Sequence, residues 1–416
     1  MYNTMTISNR IKLSAMMFFQ FMLFAVFWSQ LATYLDKIGV SGLSKSLILS
    51  SMAIGCLASP IIGMIADRFF PSQKVLAAVN LLGAVFLAIA GMQSNPVTVF
   101  ACLLAFMLCY MPTWGLTGAI AMSHSPSDKF PQIRVFGSIG WWASGAFSLV
   151  AIKVLKVPGF DGTATPLFCG AAVSLVSALL ALTLPNTAPP AKGQPMSVMD
   201  ALGLRALSLM KDRNFAVFIL VSFLAMIPFT IYWSYCSVFL EAQGFKYITI
   251  TMNWGQFAEM FLMLMVTVAL AKMGVKWAMA IGLLAMVLRY VVFYLGGVYQ
   301  IEALYFVGIL VHGIIFGFFF VGGQIYIARK APKEIQAQAQ GFIFLITFGL
   351  GLLVGNFANG ALIDHYTTTV NSVKAYDWKS IWAITTGLSV ALLALFLLFF
   401  KDDTAPALTE GREALA

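Results

Sequence analysis

The sequence predicts an all-α membrane protein of twelve transmembrane helices arranged in two six-helix bundles. Of its 416 residues, 60% are hydrophobic and only 10% are charged, and the mean hydropathy is +0.89. Because a soluble domain carries about 25% charged residues, this chain has too much apolar surface to bury in a water-soluble core. Apolar runs recur along the whole chain, and a polar linker divides them into two equal sets.

Each apolar run is long enough to span the hydrocarbon core of a bilayer, which takes roughly 20 helical residues. The first run is too long for the apolar region of a signal peptide and lacks a small-residue cleavage motif, so we expect it to remain as a helix. The runs lie near residues 11–35, 46–66, 74–94, 97–120, 133–155, 165–184, 214–240, 249–271, 277–297, 302–328, 338–363 and 379–400.

Lys and Arg residues predict the orientation of these helices. Seventeen of the 25 lie in the termini and the segments that follow even-numbered spans, and Arg289 lies within a span. Since positive residues are retained on the cytoplasmic side, we expect both termini to be cytoplasmic, in a bacterial inner membrane. The seven on the other side are Lys37, Lys45, Lys153, Lys156, Lys246, Lys374 and Lys379.

The longest predicted cytoplasmic connection separates the two bundles. It begins with a Pro-rich stretch and continues as an amphipathic segment, Ser197 to Lys211, which is typical of a helix lying on the membrane surface. A central linker also suits a transporter built from two repeated halves. The predicted division is an N-terminal bundle of residues 1–184, a linker of residues 185–213, and a C-terminal bundle with a short tail of residues 214–416.

Glu259 is the clearest candidate for a functional residue, because charges within membrane spans are costly and usually functional. It lies midway along the run 249–271, three residues after Gln256, so both side chains project from one helix face. An isolated carboxyl group in low dielectric binds a proton rather than remaining charged. That face therefore offers a proton carrier beside an amide that can bind a hydroxyl group or a base edge. The alternative is a structural ion pair with Arg289.

Three further polar residues within or beside the spans each have two interpretations. Arg289 lies at a depth similar to that of Glu259 and either pairs with it or bonds to backbone carbonyl groups as a structural cation. Arg134, at the start of the run 133–155, either reaches a central cavity or extends to the cytoplasmic surface. His312, near the middle of its span, is either a second proton site or pH gate, or a hydrogen-bonding residue within the bundle.

The second span ends in the sequence Gly63-Met-Ile-Ala-Asp67-Arg68, which matches the G-x-x-x-D-R signature loop of the major facilitator superfamily. Asp67 can accept hydrogen bonds from the other half of the molecule, so we expect this loop to act in gating rather than in substrate contact. Gly55, Ser59 and Gly63 recur at every fourth residue, a spacing that lets helix backbones approach closely.

The sequence indicates neither an enzyme nor a cofactor. The three histidines lie in separate segments, and the chain has no HExxH, GxSxG or phosphate-binding-loop motif. The five cysteines lie within apolar runs without metal-ligand spacing, and the basic residues form no stripe of the kind that binds nucleic acid. We therefore expect no catalytic residues, metal, cofactor or nucleic-acid partner.

Several stretches resemble the bacterial nucleoside permeases, a family of nucleoside:proton symporters within the major facilitator superfamily. The resemblance covers about residues 15–400, and its most specific parts are the segment that joins the fourth and fifth spans and the Gln256-x-x-Glu259 pair. The matching stretches are Phe19-Gln20-Phe21, Gly63 to Arg68, Tyr110-Met-Pro-Thr113, Phe130-Pro-x-Ile-Arg134-x-x-Gly137-Ser138-Ile-Gly140, Gln256-x-x-Glu259, Leu288-Arg289 and Ala339-Gln340-Gly341.

The resemblance implies a central cavity between the two halves, with Glu259 as the residue that couples transport to protons. It also implies that the substrate is contacted by Arg134, Ser138, Gln256 and Glu259. The chain departs from the family in two spans. The seventh carries Thr230 and Trp233 where family members have amide side chains, and the tenth keeps Phe316 but carries His312 and Gly317 in place of an aromatic residue and an acid.

These departures affect the substrate more than the class of protein. Loss of two amides and a carboxylate removes hydrogen-bond partners for a base or a ribose, although Trp233 and Phe316 can still stack on a ring. We expect a monomeric proton symporter that imports a nucleoside or a related small neutral polar solute. The alternatives are a sugar or sugar derivative, including muropeptide-like solutes, and a receptor that binds its ligand without moving it.

Overall fold

The computed structural model describes residues 6–126, 129–157, 159–189, 192–193, 199, 202, 204–332, 335–370 and 373–403. Within these ranges the chain is almost entirely helical, and eleven helices are long and apolar enough to cross a membrane. The N-terminal half contains α1 (Ile7–Lys37), α2 (Gly42–Ala66), α3 (Ser72–Gly91), α4 (Pro96–Ser123), α5 (Gln132–Val154) and α6 (Thr165–Leu182). The C-terminal half contains α7 (Arg213–Ala242), α8 (248–271), α9 (Lys272–Tyr299), α10 (Glu302–Lys330), α11 (Gln338–His365) and α12 (Trp378–Phe399).

Helix α8 carries the polar residues Asn253, Gln256 and Glu259 and is not one of the eleven. It continues into α9 as a 52-residue helical run, Ile248–Tyr299, which bends at Gly274. Gly274 has a φ of 76°, a left-handed conformation that glycine adopts without steric cost. The bend therefore marks the turn that the sequence predicts between the runs 249–271 and 277–297.

Helix ends lie at two faces of the molecule. The near face carries the start of α1 and the end of α6, where Lys12 Nζ donates to the carbonyl oxygen of Thr183 at 2.9 Å. The far face carries the ends of α1 and α7 and an antiparallel hairpin between α11 and α12, formed by β1 (Thr367–Val370) and β2 (Val373–Tyr376). The sequence does not predict this hairpin.

In the described part of the chain the two halves meet mainly along three helix pairs, α1 with α7, α2 with α11, and α5 with α8. Polar contacts join the halves at the far face. Lys37 Nζ lies 2.8 Å from the carboxylate of Glu241. Asp36 accepts hydrogen bonds from Lys374 at 2.8 Å and from Tyr376 at 3.0 Å, both in or beside the hairpin. These contacts hold the halves together on that side.

Helices α4, α10 and α11 are irregular at mid-depth. Helix α4 is interrupted at Met111–Pro112, where proline lacks the backbone N–H that a regular helix needs. Helices α10 and α11 contain π-helical turns at Ile315–Val321 and Leu345–Gly351, a feature that is frequent at functional sites. These turns carry Phe316 and Phe348, which line the space between the halves.

At two places the structure differs from the expectation from sequence. A Cβ atom placed on Gly63 would meet nothing within 4 Å, whereas one on Gly55 would meet the backbone of Met107 at 2.6 Å. Close helix crossing is therefore found at Gly55 and not at Gly63, which faces open space. In the linker, Leu204–Lys211 is a 3₁₀ helix, and Ser197 lies outside the described residues.

Candidate functional site

A cavity lies between the two halves and has walls from both. Its empty space, including the part open to solvent, is about 510 Å³. Seven helices contribute to it, and the lining is mainly aromatic with a few polar groups. The lining residues are Phe21, Trp114, Arg134, Ser138, Trp141, Phe229, Trp233, Gln256, Glu259, His312, Phe316 and Phe348.

Glu259 lies in the α8 wall of this cavity and is only 8% exposed. Its Oε2 atom is 3.7 Å from Nε2 of His312 on α10. The same imidazole nitrogen lies 3.2 Å from the amide nitrogen of Gln256, one turn earlier on α8. A carboxyl group, an amide and an imidazole thus lie together in one polar cluster, with both hydrogen-bond donors and acceptors.

Two glycines bring α10 against α8 at this cluster. A Cβ atom on Gly313 would lie 2.6 Å from Cα of Glu259, and one on Gly255 would lie 2.9 Å from the carbonyl oxygen of Ile309. No larger residue fits at either position without moving a backbone, so the absence of side chains is what permits the crossing. This crossing places His312 beside both Gln256 and Glu259.

Arg134 faces the cluster from the N-terminal half. Its side chain is exposed to the open space, and its guanidinium carbon lies 4.4 Å from the ring centre of Phe21 on α1. Arg134 and Glu259 line the same cavity from opposite halves of the molecule. The cavity therefore has a cation on one wall and an acid on the other. Of the two orientations expected for Arg134 from the sequence, the structure has the one that reaches the cavity.

Aromatic rings form most of the remaining wall. His312 lies nearly parallel to Phe229, Tyr232 and Phe316, with ring centres 5.5 to 6.1 Å apart. Trp141 of α5 and Trp233 of α7 approach within 6.4 Å across the two halves. Flat apolar surfaces beside a few polar groups suit a ligand that combines a ring with hydroxyl or amide groups.

Seven of the eight substrate-binding residues predicted from the sequence line the cavity, and Thr230 does not appear among the lining residues that the structure describes. Thr230 is fully buried against α11, where a Cβ atom on Gly355 would lie 2.8 Å from its hydroxyl oxygen. Trp233, three residues later on α7, faces the cavity, whereas Thr230 packs against the neighbouring helix α11. The residues missed were Phe21, Trp114, Trp141, Phe229 and Phe348.

Arg289 is buried within the C-terminal half and has no carboxylate partner in the described part of the chain. Its Nε atom donates to the carbonyl oxygen of Gly308 at 2.9 Å, and its guanidinium carbon lies 3.7 Å from the ring centre of Tyr232. Of the two interpretations made from the sequence, this geometry favours a structural cation. Asp67 and Arg68 of the signature loop lie at the C-terminal end of α2, and the side chain of Asp67 lies outside the described part of the chain.

Two of the stretches that resemble the family, those containing Gln20 and Thr113, stabilise one wall of the cavity. Gln20 exchanges hydrogen bonds with Asn80, at 3.2 and 3.0 Å, and donates to the hydroxyl of Thr113 at 2.8 Å. Thr113 follows the break in α4, one residue before Trp114. This buried network therefore fixes the wall that presents Trp114 and Phe21 to the cavity.

The architecture is shared with solved membrane transporters. The crystal structure of the nucleoside transporter NupG matches with a TM-score of 0.83 and 27% sequence identity, covering 95% of this chain and 100% of that one. A D-xylose–proton symporter matches with a TM-score of 0.73 and 14% identity, covering 95% and 99%, and this likeness shows the fold alone. The protein is therefore a multi-pass membrane transporter of the major facilitator fold, and not an enzyme.

The family model for nucleoside H⁺ symporters matches residues 5–405, and the chain belongs to that family. YegT of Escherichia coli (strain K12) is 35% identical over 96% of this chain and 98% of its own length. The nucleoside permease NupG of the same organism is 29% identical over 94% and 96%, and its xanthosine permease is 27% identical over 97% and 98%. The resemblance stated from the sequence is thereby confirmed.

Proposed function

We propose that the protein imports a nucleoside by proton-coupled alternating access, with Glu259 as the proton-binding residue. The observation that carries this proposal is the position of Glu259. It is buried in the wall of a cavity between the two halves, beside Gln256 and His312 and facing the charge of Arg134. A carboxyl group at that place exchanges a proton with the same space that holds the substrate.

The membrane topology is part of the proposal. The polar helix α8 adds a twelfth span to the eleven apolar helices of the described chain. Because Lys and Arg concentrate on the side of the termini, the near face is cytoplasmic and the far face is periplasmic in a bacterial inner membrane. The contacts of Asp36 and Lys37 then close the periplasmic side.

Transport follows from this topology. Residues 1–184 and 214–416 rock as two bodies about the cavity, and residues 185–213 connect them in the cytoplasm. A proton from the periplasm neutralises Glu259, the substrate binds, and the cavity then opens to the cytoplasm. Release of the proton there restores the charge that Arg134 attracts, which resets the carrier. The cycle needs one chain, so we propose a monomer.

The cavity contacts support a nucleoside as the substrate. Trp233, Phe229 and Phe316 offer stacking surfaces for a base, while Gln256, His312 and Arg134 offer hydrogen bonds to its edge or to ribose hydroxyl groups. The permeases to which the chain is similar are named for nucleosides and for xanthosine. Because Trp233 and His312 line the cavity at positions where the family has an amide and an aromatic residue, a different preference among nucleosides is the natural consequence.

Uptake into proteoliposomes tests the proposal. The purified protein is reconstituted with an imposed proton gradient, and labelled purine and pyrimidine nucleosides are compared with xylose and a muropeptide fragment. We expect accumulation of at least one nucleoside above equilibrium, abolished by a protonophore. Accumulation of a sugar but of no nucleoside would show that the substrate is a sugar. Binding without counterflow would indicate a receptor.

A further inference from the structure

Asp161 lies in the connection between α5 and α6 at the far face, and it is only 7% exposed. Its carboxylate accepts a hydrogen bond from the hydroxyl group of Thr249 and one from the backbone N–H of Thr249 at 3.3 Å. Ser148 of α5 donates to it at 3.4 Å. A buried carboxylate of the N-terminal half is therefore bonded to the C-terminal half.

Thr249 is in the first turn of α8, where backbone N–H groups have no partner within the helix. The residue before the helix, Tyr247, provides no side-chain cap. Asp161 supplies the missing acceptor and also places a negative charge at the positive end of the helix. Helix α8 is thus capped by a residue from the opposite half of the molecule.

A second contact holds the same stretch of α8. One turn after Thr249, the amide nitrogen of Asn253 donates to the carbonyl oxygens of Trp141 and Trp142 at 3.1 and 3.2 Å and lies 3.1 Å from Oγ of Ser144. These acceptors lie around Ser144, where two helical segments of α5 meet. Separation of α5 from α8 at the far face breaks both contacts together.

We propose that Asp161 is a positioning residue for transport, and that it latches α8 to the N-terminal half whenever the far side is closed. Gln256 and Glu259 lie farther along the same rigid helix, so release of the latch and movement of the proton-binding residue are one event. The role of Asp161 in transport rests on the proposed function. Whether Asp161 holds the far side closed is a question about conformation, and it is tested without substrate or proton gradient.

The chain contains a matched control. Asp377 caps the first turn of α12 by accepting from the backbone N–H of Ser380 at 3.2 Å and from its hydroxyl group at 2.6 Å. It is also an aspartate at a helix start on the far face, but donor and acceptor belong to the same half. Loss of this cap weakens a helix without releasing one half from the other.

The test is a distance measurement across the far face. Spin labels are placed at the exposed positions 165 and 300, one on each half, in the full-length chain with its five cysteines replaced and uptake verified. Double electron–electron resonance in nanodiscs then gives the populations of short and long distances. The variants are Asp161→Ala, Thr249→Val, the double variant, and Asp377→Ala.

We expect Asp161→Ala to shift the ratio of long to short distances roughly 5- to 30-fold, the effect of one or two strong contacts. Thr249→Val keeps its backbone N–H and should shift the ratio less, and the double variant should add nothing to Asp161→Ala because both remove one interaction. Asp377→Ala should leave the distances as in the parent. A parent-like distribution for Asp161→Ala, or an equal shift for Asp377→Ala, would overturn the latch, and neither result bears on whether nucleosides are carried.

Discussion

Nε2 of His312 lies 3.7 Å from a carboxylate oxygen of Glu259 and 3.2 Å from the amide nitrogen of Gln256. One ring nitrogen therefore stands between the proposed proton site and the proposed substrate amide. The distance to Glu259 is too long for a direct hydrogen bond, whereas that to Gln256 is within hydrogen-bond range. The imidazole is thus placed to transmit a change at Glu259 to the group that binds substrate.

Replacing His312 by Phe should weaken nucleoside binding roughly 3- to 10-fold, the loss of one hydrogen bond. The phenyl ring keeps the stacking of this position with Phe229 and Tyr232 and so should leave thermal stability near that of the parent. Isothermal titration and a thermal melt of the same sample measure both quantities. Unchanged affinity would show that the ring nitrogen does not support the binding site.

Replacing Arg134 by Gln should weaken binding about tenfold or more, because hydrogen bonds to a charged donor are stronger than neutral ones. Arg134→Lys should recover only part of the loss, since lysine keeps the charge but not the planar group that lies over Phe21. Arg10→Gln is the control, because Arg10 donates to Gln132 near the start of α1. Equal losses in Arg10→Gln and Arg134→Gln would remove Arg134 from the site.

Replacing Arg289 by Met should leave proton-driven accumulation in place. Arg289 donates to the carbonyl oxygen of Gly308 and lies over the ring of Tyr232, with no carboxylate partner among the described residues. Because a buried charge without an ionic partner is costly, and Nη1 and Nη2 of Arg289 have no hydrogen-bond partner among the described residues, an apolar side chain of similar length should leave the melting temperature unchanged or raise it. Uptake that no longer responds to the gradient would instead assign Arg289 to coupling.

Asp212 should stabilise the C-terminal half in a pH-dependent way. Its bond from the backbone N–H of Phe215, followed by that from Lys330, lowers the pKa of Asp212 below its ordinary value of 3.8. A depressed carboxyl pKa stabilises the fold above the ordinary value, and this stabilisation disappears as the pH falls through the lowered one. Since 39% of the side chain is exposed, solvent screening limits the effect to about 1 kcal/mol or less.

Thermal melts of Asp212→Asn measure this dependence. The variant should melt below the parent from pH 5 to pH 8, and the difference should shrink as the pH drops below about 4. Asp403→Asn is the comparison, because Asp403 also contacts Lys330, at 2.5 Å, but is not the N-cap of a helix. A difference between Asp212→Asn and the parent that grows on acidification would contradict the assigned sign.

The helices and the central acid follow from the sequence for simple physical reasons. A bilayer fixes helix length, so the predicted run 165–184 corresponds closely to the observed helix Thr165–Leu182. A carboxyl group within an apolar run is so costly that Glu259 draws attention without any structure. The spacing of Gln256 and Glu259 likewise determines that they share a face.

The features that were missed depend on contacts between distant segments. Trp114 and Phe348 line the cavity, but among 36 phenylalanines and 9 tryptophans no local pattern separates cavity aromatics from packed ones. Thr230 was wrongly predicted to line the cavity, because the rotation of α7 depends on its packing against Gly355 of α11. Asp161 escaped notice because it lies in a loop, and its partner Thr249 is 88 residues away along the chain.

The central claim is that Glu259 couples substrate movement to protons, and Glu259→Gln tests it most directly. Glutamine retains the size and a hydrogen-bonding carbonyl group but cannot release a proton. The measurement compares nucleoside counterflow, which needs only alternating access, with accumulation driven by a proton gradient in the same proteoliposomes. We predict that counterflow persists in Glu259→Gln while accumulation falls to equilibrium. Accumulation at the parental level, still abolished by a protonophore, would contradict the account.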